Sequence, residues 1–234
     1  MQSCRSHDEP NACLPEGLTM TQIFLSEIET LMNRETILSY FPFLLQIRRE
    51  KLLRLRSDSD RTQSILSELL LRKVAGDFLD IKGEEISLAE APSGKPYFPL
   101  YPKYHFSLSH TEGAVLVAVS DQPIGVDIEH YRFVEEAVFD RVLTPNERKA
   151  MLLHGSDVKA SFLEIWTRKE AYLKWTGEGL FVSPDTIDTT RTYMNGRFFT
   201  SSFHGYTFSL FGNISEEETI IQPFSQKDIL LSFR

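Results

Sequence analysis

The chain has 234 residues, enough to bury a core as one large domain or as two packed halves. Charged residues make up 25%, the hydrophobic set 41%, and the net charge is −8. These values suit a globular protein and argue against a nucleic-acid partner, which usually calls for a basic chain. They also leave no membrane span, since even the apolar patch from Phe41 to Ile47 is broken by Pro42 and Gln46.

Residues 1–19 are polar, hold Pro10, Pro15 and Gly17, and show no periodicity, so a flexible tail is expected before Met20. Cys4 and Cys13 make no disulfide framework, and no apolar stretch near the start resembles a secretory signal. The expected location is therefore the cytoplasm. The densest basic group is Arg48-Arg49-Glu50-Lys51-Leu52-Leu53-Arg54-Leu55-Arg56. On charge alone it reads equally well as a solvated helix face or a binding surface.

Leu66, Leu70, Val74 and Phe78 recur at i+4 and predict a helix over 60–79. Ser93-Gly94-Lys95-Pro96 is a turn. Tyr104 to Ser109 alternates as a strand does, and Ala114 to Val119 reads as a strand buried on both faces. Asp121-Gln122-Pro123 turns the chain. Ile124, Val126 and Ile128 then alternate with Gly125, Asp127 and Glu129. In a strand this sends the aliphatics into a core and both carboxylates to the opposite face, about 7 Å apart along the strand.

Thr144-Pro145-Asn146-Glu147 is a helix start with a capping box, and Gly155 is the expected stop. A second helix should begin near Ser156 or Asp157 and end by Gly177, with Phe162, Trp166 and Leu173 on one stripe and Glu170 beside it, facing the protein body. The segments 197–201, 206–211, 219–223 and 229–233 read as short antiparallel strands.

Taken singly, the carboxylate pair on a strand is common, and Glu170 with Lys174 is the spacing of a surface i,i+4 pair. Together, Asp127, Glu129 and Glu170 form an all-oxygen set suited to magnesium, with lysines nearby for phosphates. No zinc spacing, phosphate loop or dinucleotide fingerprint is present, and neither Ser107 nor Ser109 sits in a nucleophile elbow.

The motifs resemble those of the 4′-phosphopantetheinyl transferases, in particular the larger type that activates nonribosomal peptide and polyketide synthases. The resemblance rests on Ile124-Gly125-Val126-Asp127-Ile128-Glu129, Trp166-Thr167-Arg168-Lys169-Glu170-Ala171-Tyr172-Leu173-Lys174, Gly94-Lys95-Pro96 and Phe106-Ser107-Leu108-Ser109-His110, in family order over roughly 48–185. It implies an α+β fold of two similar halves related by a pseudo-two-fold axis, 20–122 and 123–234, with the active site at their junction. It implies transfer of the phosphopantetheine arm of coenzyme A to a serine of an acyl or peptidyl carrier protein, releasing adenosine 3′,5′-bisphosphate. Asp127, Glu129 and Glu170 would hold Mg2+, and Glu170 would also help deprotonate the serine. Lys174, Lys95, Ser109 and His110 would meet coenzyme A phosphates, and Arg48 and Lys51 the 3′-phosphate end. The family's asparagine is Ser107 here. A family arginine falls at Gln63, with Arg61 two residues away as its substitute. The smaller trimeric carrier synthases are about half this length, so a monomer is expected. Two rival readings are a magnesium-dependent phosphohydrolase acting on coenzyme A or a nucleotide, and a carrier-binding module without catalysis.

Overall fold

The computed structural model describes residues 21–131, 136–154, 157–179, 182–214 and 219–234. The expected tail over 1–19 and the helix stop at Gly155 lie outside them.

In chain order the elements are β1 (Thr21–Glu27), α1 (Arg34–Ser39), α2 (Gln46–Arg54), α3 (Asp58–Leu79), β2 (Ala89–Glu90), β3 (Pro96–Tyr97), β4 (His105–Thr111), β5 (Ala114–Ser120), β6 (Ile124–His130), α4 (Phe139–Val142), α5 (Pro145–His154), α6 (Val158–Thr176), β7 (Arg197–Phe203), β8 (Tyr206–Gly212), β9 (Ile221–Pro223) and α7 (Gln226–Leu231). The fold is α+β. One sheet has the order β4-β5-β1-β9, a second β6-β8-β7, and β2-β3 form a small hairpin.

The two larger sheets pack face to face. Ile23, Leu25, Leu116 and Ala118 from the first meet Ile124, Val126, Ile128, Phe208 and Leu210 from the second. On its other face the first sheet sends Phe24, Val115, Val117 and Val119 against Leu66, Leu69, Leu70 and Val74 of α3. The second sheet is covered on its outer face by α6. The layers therefore run α3, sheet, sheet, α6. β5 is buried at every position, because it lies inside this stack with a layer on each side.

Helix ends follow local chemistry. Ser57 caps α3 by accepting from the N–H groups of Ser59 and Asp60. Asp157 caps α6 by accepting from Lys159 and Ala160, and Gly177 closes it at φ 77° in the left-handed region. The expected capping box at α5 is complete: Glu147 N–H donates to Thr144 Oγ1 at 3.2 Å and Thr144 N–H to Glu147 Oε2 at 2.8 Å.

Two expectations about the chain ends need correction. Residues 229–233 do not form a strand. Ser225 accepts from Asp228 N–H and starts α7, whose Ile229 is fully buried beside α3; Phe233, two residues past the helix, joins the same core. Ile229 and Phe233 are four apart, the helical spacing, and the alternation Ile229, Leu231, Phe233 also reads as a strand, so pattern alone could not decide. Within 219–223 only Ile221–Pro223 is a strand, and it pairs parallel to β1 rather than antiparallel.

Candidate active site at the junction of the two sheets

β6 is an edge strand of its sheet, and its free edge faces β4. Three hydroxyls of β4, all on one face, bridge the gap. Ser107 Oγ accepts from Val126 N–H at 3.0 Å, Ser109 Oγ donates to Asp127 Oδ1 at 2.7 Å, and Thr111 Oγ1 donates to Glu129 Oε2 at 3.1 Å. Thr111 Oγ1 also accepts from His130 N–H at 3.3 Å. Side chains thus satisfy edge N–H groups that a further strand would otherwise take.

On the other side α6 lies directly on β6. A Cβ built at Gly125 would stand 2.0 Å from Ala171 O and 2.6 Å from Trp175 N. Only glycine permits this approach. It brings Glu170 and Lys174 to the strand: Lys174 Nζ donates to Asp127 Oδ1 at 2.7 Å, and Trp166 Nε1 to Glu129 Oε1 at 3.1 Å.

The electrostatics are those of crowded acids. Burial raises the Glu170 carboxyl above its ordinary range, Asp127 and Glu129 push the same way, and Lys174 opposes them. Asp127 is 5% exposed, and its Oδ2 is buried with no hydrogen-bond partner. Among the described residues no three His, Cys, Asp or Glu side chains form a ready-made metal cage. What the site offers is an all-oxygen donor set, an unpartnered buried carboxylate oxygen and mutual repulsion. This set fits a small hard divalent cation.

Next to this cluster lies a cavity of about 240 Å³ lined by Gly94, Lys95, Pro96, Ser107, Leu173 and Lys174 among others. A second, of about 190 Å³, includes Arg48, Lys51, Glu68 and Glu90 in its wall. The two share Gly94, Pro96, Phe106 and Leu108, so they form one groove leading from Lys174, the partner of Asp127, to α2. Lys95 Nζ donates to Trp175 O at 2.9 Å, and burial holds its pKa below the usual lysine range. His110 has an exposed edge but is closely flanked by protein. Loss of water lowers its basicity first, then the Lys174 and Arg48 charges, against Asp60 and Asp127.

The structure therefore gathers Asp127, Glu129, Glu170, Lys174, Lys95, Ser109 and His110 around the junction, and Arg48 and Lys51 at the far end of the groove. Arg61 is engaged locally, on Asp58 Oδ1 at 2.6 Å and Leu55 O at 2.5 Å. Gln63 is buried and donates to Ser59 Oγ at 3.0 Å. Lys169, inside the α6 motif, turns away from the site. Its ammonium is fully buried against Glu147 Oε2 at 2.6 Å, Ile187 O at 2.6 Å and Pro184 O at 2.8 Å. Sequence reasoning missed Ser107 and Thr111 as site partners. Hydroxyls at 107, 109 and 111 share one strand face, and that period was the available signal.

Comparison with known proteins identifies the family. Residues 33–122 match the family described as 4′-phosphopantetheinyl transferase, N-terminal, and residues 123–218 match the 4′-phosphopantetheinyl transferase superfamily. The boundary between the matches falls between β5 and β6. The 4′-phosphopantetheinyl transferase psf-1 of Bacillus pumilus is 30% identical over 163 residues, covering 68% of this chain and 70% of that protein. Sfp of Bacillus subtilis (strain 168) is 27% identical over 71% of this chain and 74% of its own length. The L-aminoadipate-semialdehyde dehydrogenase-phosphopantetheinyl transferase of Xenopus laevis is 29% identical over 60% of this chain and 54% of its own. On these matches the chain belongs to the 4′-phosphopantetheinyl transferase superfamily.

Proposed function

We propose that this protein moves the 4′-phosphopantetheine arm of coenzyme A onto a serine hydroxyl of an apo acyl or peptidyl carrier protein, with Mg2+ as cofactor and adenosine 3′,5′-bisphosphate as the second product. The observation that carries the reading is that Lys174, which donates to Asp127 at the acidic junction, also lines a groove that runs to Arg48 and Lys51. Lys95 and Lys174 line one end and Arg48 and Lys51 the other, cations spaced for a ligand with a pyrophosphate at one end and a ribose phosphate at the other. Family membership supports the same reaction.

Asp127, Glu129 and Glu170 would hold the ion. Bound Mg2+ supplies neutralisation of phosphoryl oxygen charge and a fixed orientation for the pyrophosphate. The serine oxygen bonds to the phosphorus of the pantetheine phosphate, and the anhydride bond to adenosine 3′,5′-bisphosphate breaks. Glu170 takes the serine proton, directly or through water. Lys174 and Lys95 face the phosphates, with Ser109 and His110 beside them, while Arg48 and Lys51 take the 3′-phosphate. Arg61 would reach a ligand only by leaving Leu55 and Asp58, so it is the weakest of the assignments.

The two family matches meeting at 122 and 123 support a chain of two halves. We infer a pseudo-two-fold axis between them. We place the working protein in the cytoplasm as a monomer. No helix among the described residues is long and apolar enough to cross a membrane.

The test is incubation with coenzyme A and a panel of apo carrier domains, with and without Mg2+, read by intact mass. Gain of the phosphopantetheine mass on a carrier, only with Mg2+, is expected. Consumption of coenzyme A without a carrier would favour a phosphohydrolase. Carrier binding with no mass gain under any condition would favour a binding module.

A further inference from the structure

The basic end of the groove holds two cations, each paired with a carboxylate of this chain, and the pairs differ in kind. Lys51 Nζ donates to Glu90 Oε1 at 2.9 Å, with the side chains 51% and 28% exposed. Arg48 donates from Nε to Glu68 Oε2 at 3.1 Å and from Nη2 to Ser64 Oγ at 3.2 Å. Glu68 is only 3% exposed. Its other oxygen, Oε1, accepts from Arg72 Nε at 3.2 Å and Nη2 at 3.1 Å, and Arg72 Nη1 is fixed on Ile86 O at 2.7 Å.

A carboxylate on the core face of α3, among Leu66, Leu69, Leu70 and Leu71, serves neither solubility nor capping. Arg72, one turn on, supplies its charge partner and is itself spent on buried acceptors. The second guanidinium comes from a different helix and lines the groove. Two of its N–H groups are taken, and most of its donors remain for a ligand. The trio Arg48, Glu68 and Arg72 keeps a net positive charge after pairing. A phosphate arriving at Arg48 therefore need not displace Glu68, whereas one arriving at Lys51 must compete with Glu90.

We propose that Glu68 is a positioning residue that, braced by Arg72, presents Arg48 to the 3′-phosphate of coenzyme A, and that Glu90 competes with that phosphate for Lys51. The inference rests on the proposed transfer reaction. It predicts opposite effects from two carboxylates in one groove.

The experiment is steady-state transfer to one apo carrier domain with coenzyme A and with 3′-dephospho-coenzyme A. Glu68→Gln should raise KM for coenzyme A about tenfold, the weight of one charge-assisted phosphate contact. It should leave kcat, and KM for the dephospho substrate, within about twofold. Glu90→Gln should lower KM for coenzyme A by about twofold, as an exposed pair is weak. Adding Glu68→Gln to Arg48→Ala should change KM no further, because the first residue acts through the second. Should Glu68→Gln unfold, the double variant Glu68→Leu with Arg72→Met replaces the buried pair by apolar groups, a change often tolerated. It should show the same selective loss. Equal losses on both substrates, additive effects with Arg48→Ala, or an unchanged KM in a folded variant would overturn the proposal. Absence of transfer by the unsubstituted protein would instead overturn the reaction itself.

Discussion

Lys169 and Lys174 sit on the same helix, each against a carboxylate, yet they do different work. The Lys169–Glu147 pair is 0% exposed on both sides, and its remaining donors and acceptors are filled: Pro184 O and Ile187 O take the ammonium, while Thr189 N–H and Oγ1 donate to Glu147 Oε1 at 2.8 Å each. The Lys174–Asp127 pair is 29% and 7% exposed, and Asp127 keeps an unpartnered oxygen. A buried pair with every valence filled fixes α6 to α5 and to the 184–189 segment. A partly open pair with one oxygen to spare can exchange partners when a ligand arrives. The contrast separates structural from chemical charge within one short motif, which its spacing alone does not do.

The largest effect that would test this contrast is on stability. Lys169→Met leaves Glu147 buried and uncompensated, and should cost about 3–5 kcal/mol. Lys174→Met should cost less, about 1–3 kcal/mol, since Asp127 is buried but keeps Ser109 and its cation is part-exposed. Urea denaturation of both variants decides, and equal losses would mean that burial does not distinguish the pairs.

Next in size is the effect of Asp127→Ala on transfer. It should lower the rate by about a thousandfold, about 4 kcal/mol on the barrier, while the protein stays folded. Carrier modification followed over a magnesium titration is the measurement. Near-normal transfer at saturating magnesium would remove Asp127 from the site.

Glu170→Gln keeps the shape but removes a crowded charge. Transfer should fall by about a hundredfold, the usual weight of a general base. The metal-free variant should melt a few degrees above the unsubstituted protein at neutral pH, because Asp127 and Glu129 no longer repel that position. A lower melting temperature would show that Glu170 makes a stabilising contact.

The smallest effect concerns His110, whose folded-state pKa is lowered from the ordinary 6.5. The unfolded chain then binds more protons there than the folded one. Stability is full above pH 6.5 and declines as pH falls through the window below it. His110→Asn should flatten that slope slightly, and melting curves between about pH 5 and 7 would show it. An unchanged slope would mean that the ring is effectively solvated.

What could be read in the sequence was what short-range pattern determines. Thr144 and Glu147 are three residues apart, so the capping box was visible, as was the face shared by Asp127 and Glu129. What could not be read came from elements distant in the chain. Glu147 has a second role with Lys169 and Thr189, and nothing within a turn of it announces this. Glu68 looked like any acid in a helix until α2 brought Arg48 against it. β1 is not legible in the sequence, because Ile23-Phe24-Leu25 is too short an apolar run to decide between helix and strand without β5 and β9 as neighbours. Residues 229–233 failed for the same reason, since the core under α7 selected helix over an equally good strand pattern.

Gly125 has a mechanical consequence. With no side chain between β6 and α6, the helix rests on the strand through its own backbone. It is further held by Tyr131 OH, which donates to Asp157 at 2.9 Å at one end, and by Lys169 near its middle. A 19-residue helix is a rod about 28 Å long. Clamped at these points, it cannot bring Glu170 closer to Asp127 without carrying Lys174 along. Any tilt of the rod therefore changes the alignment of the acid and the cation at once.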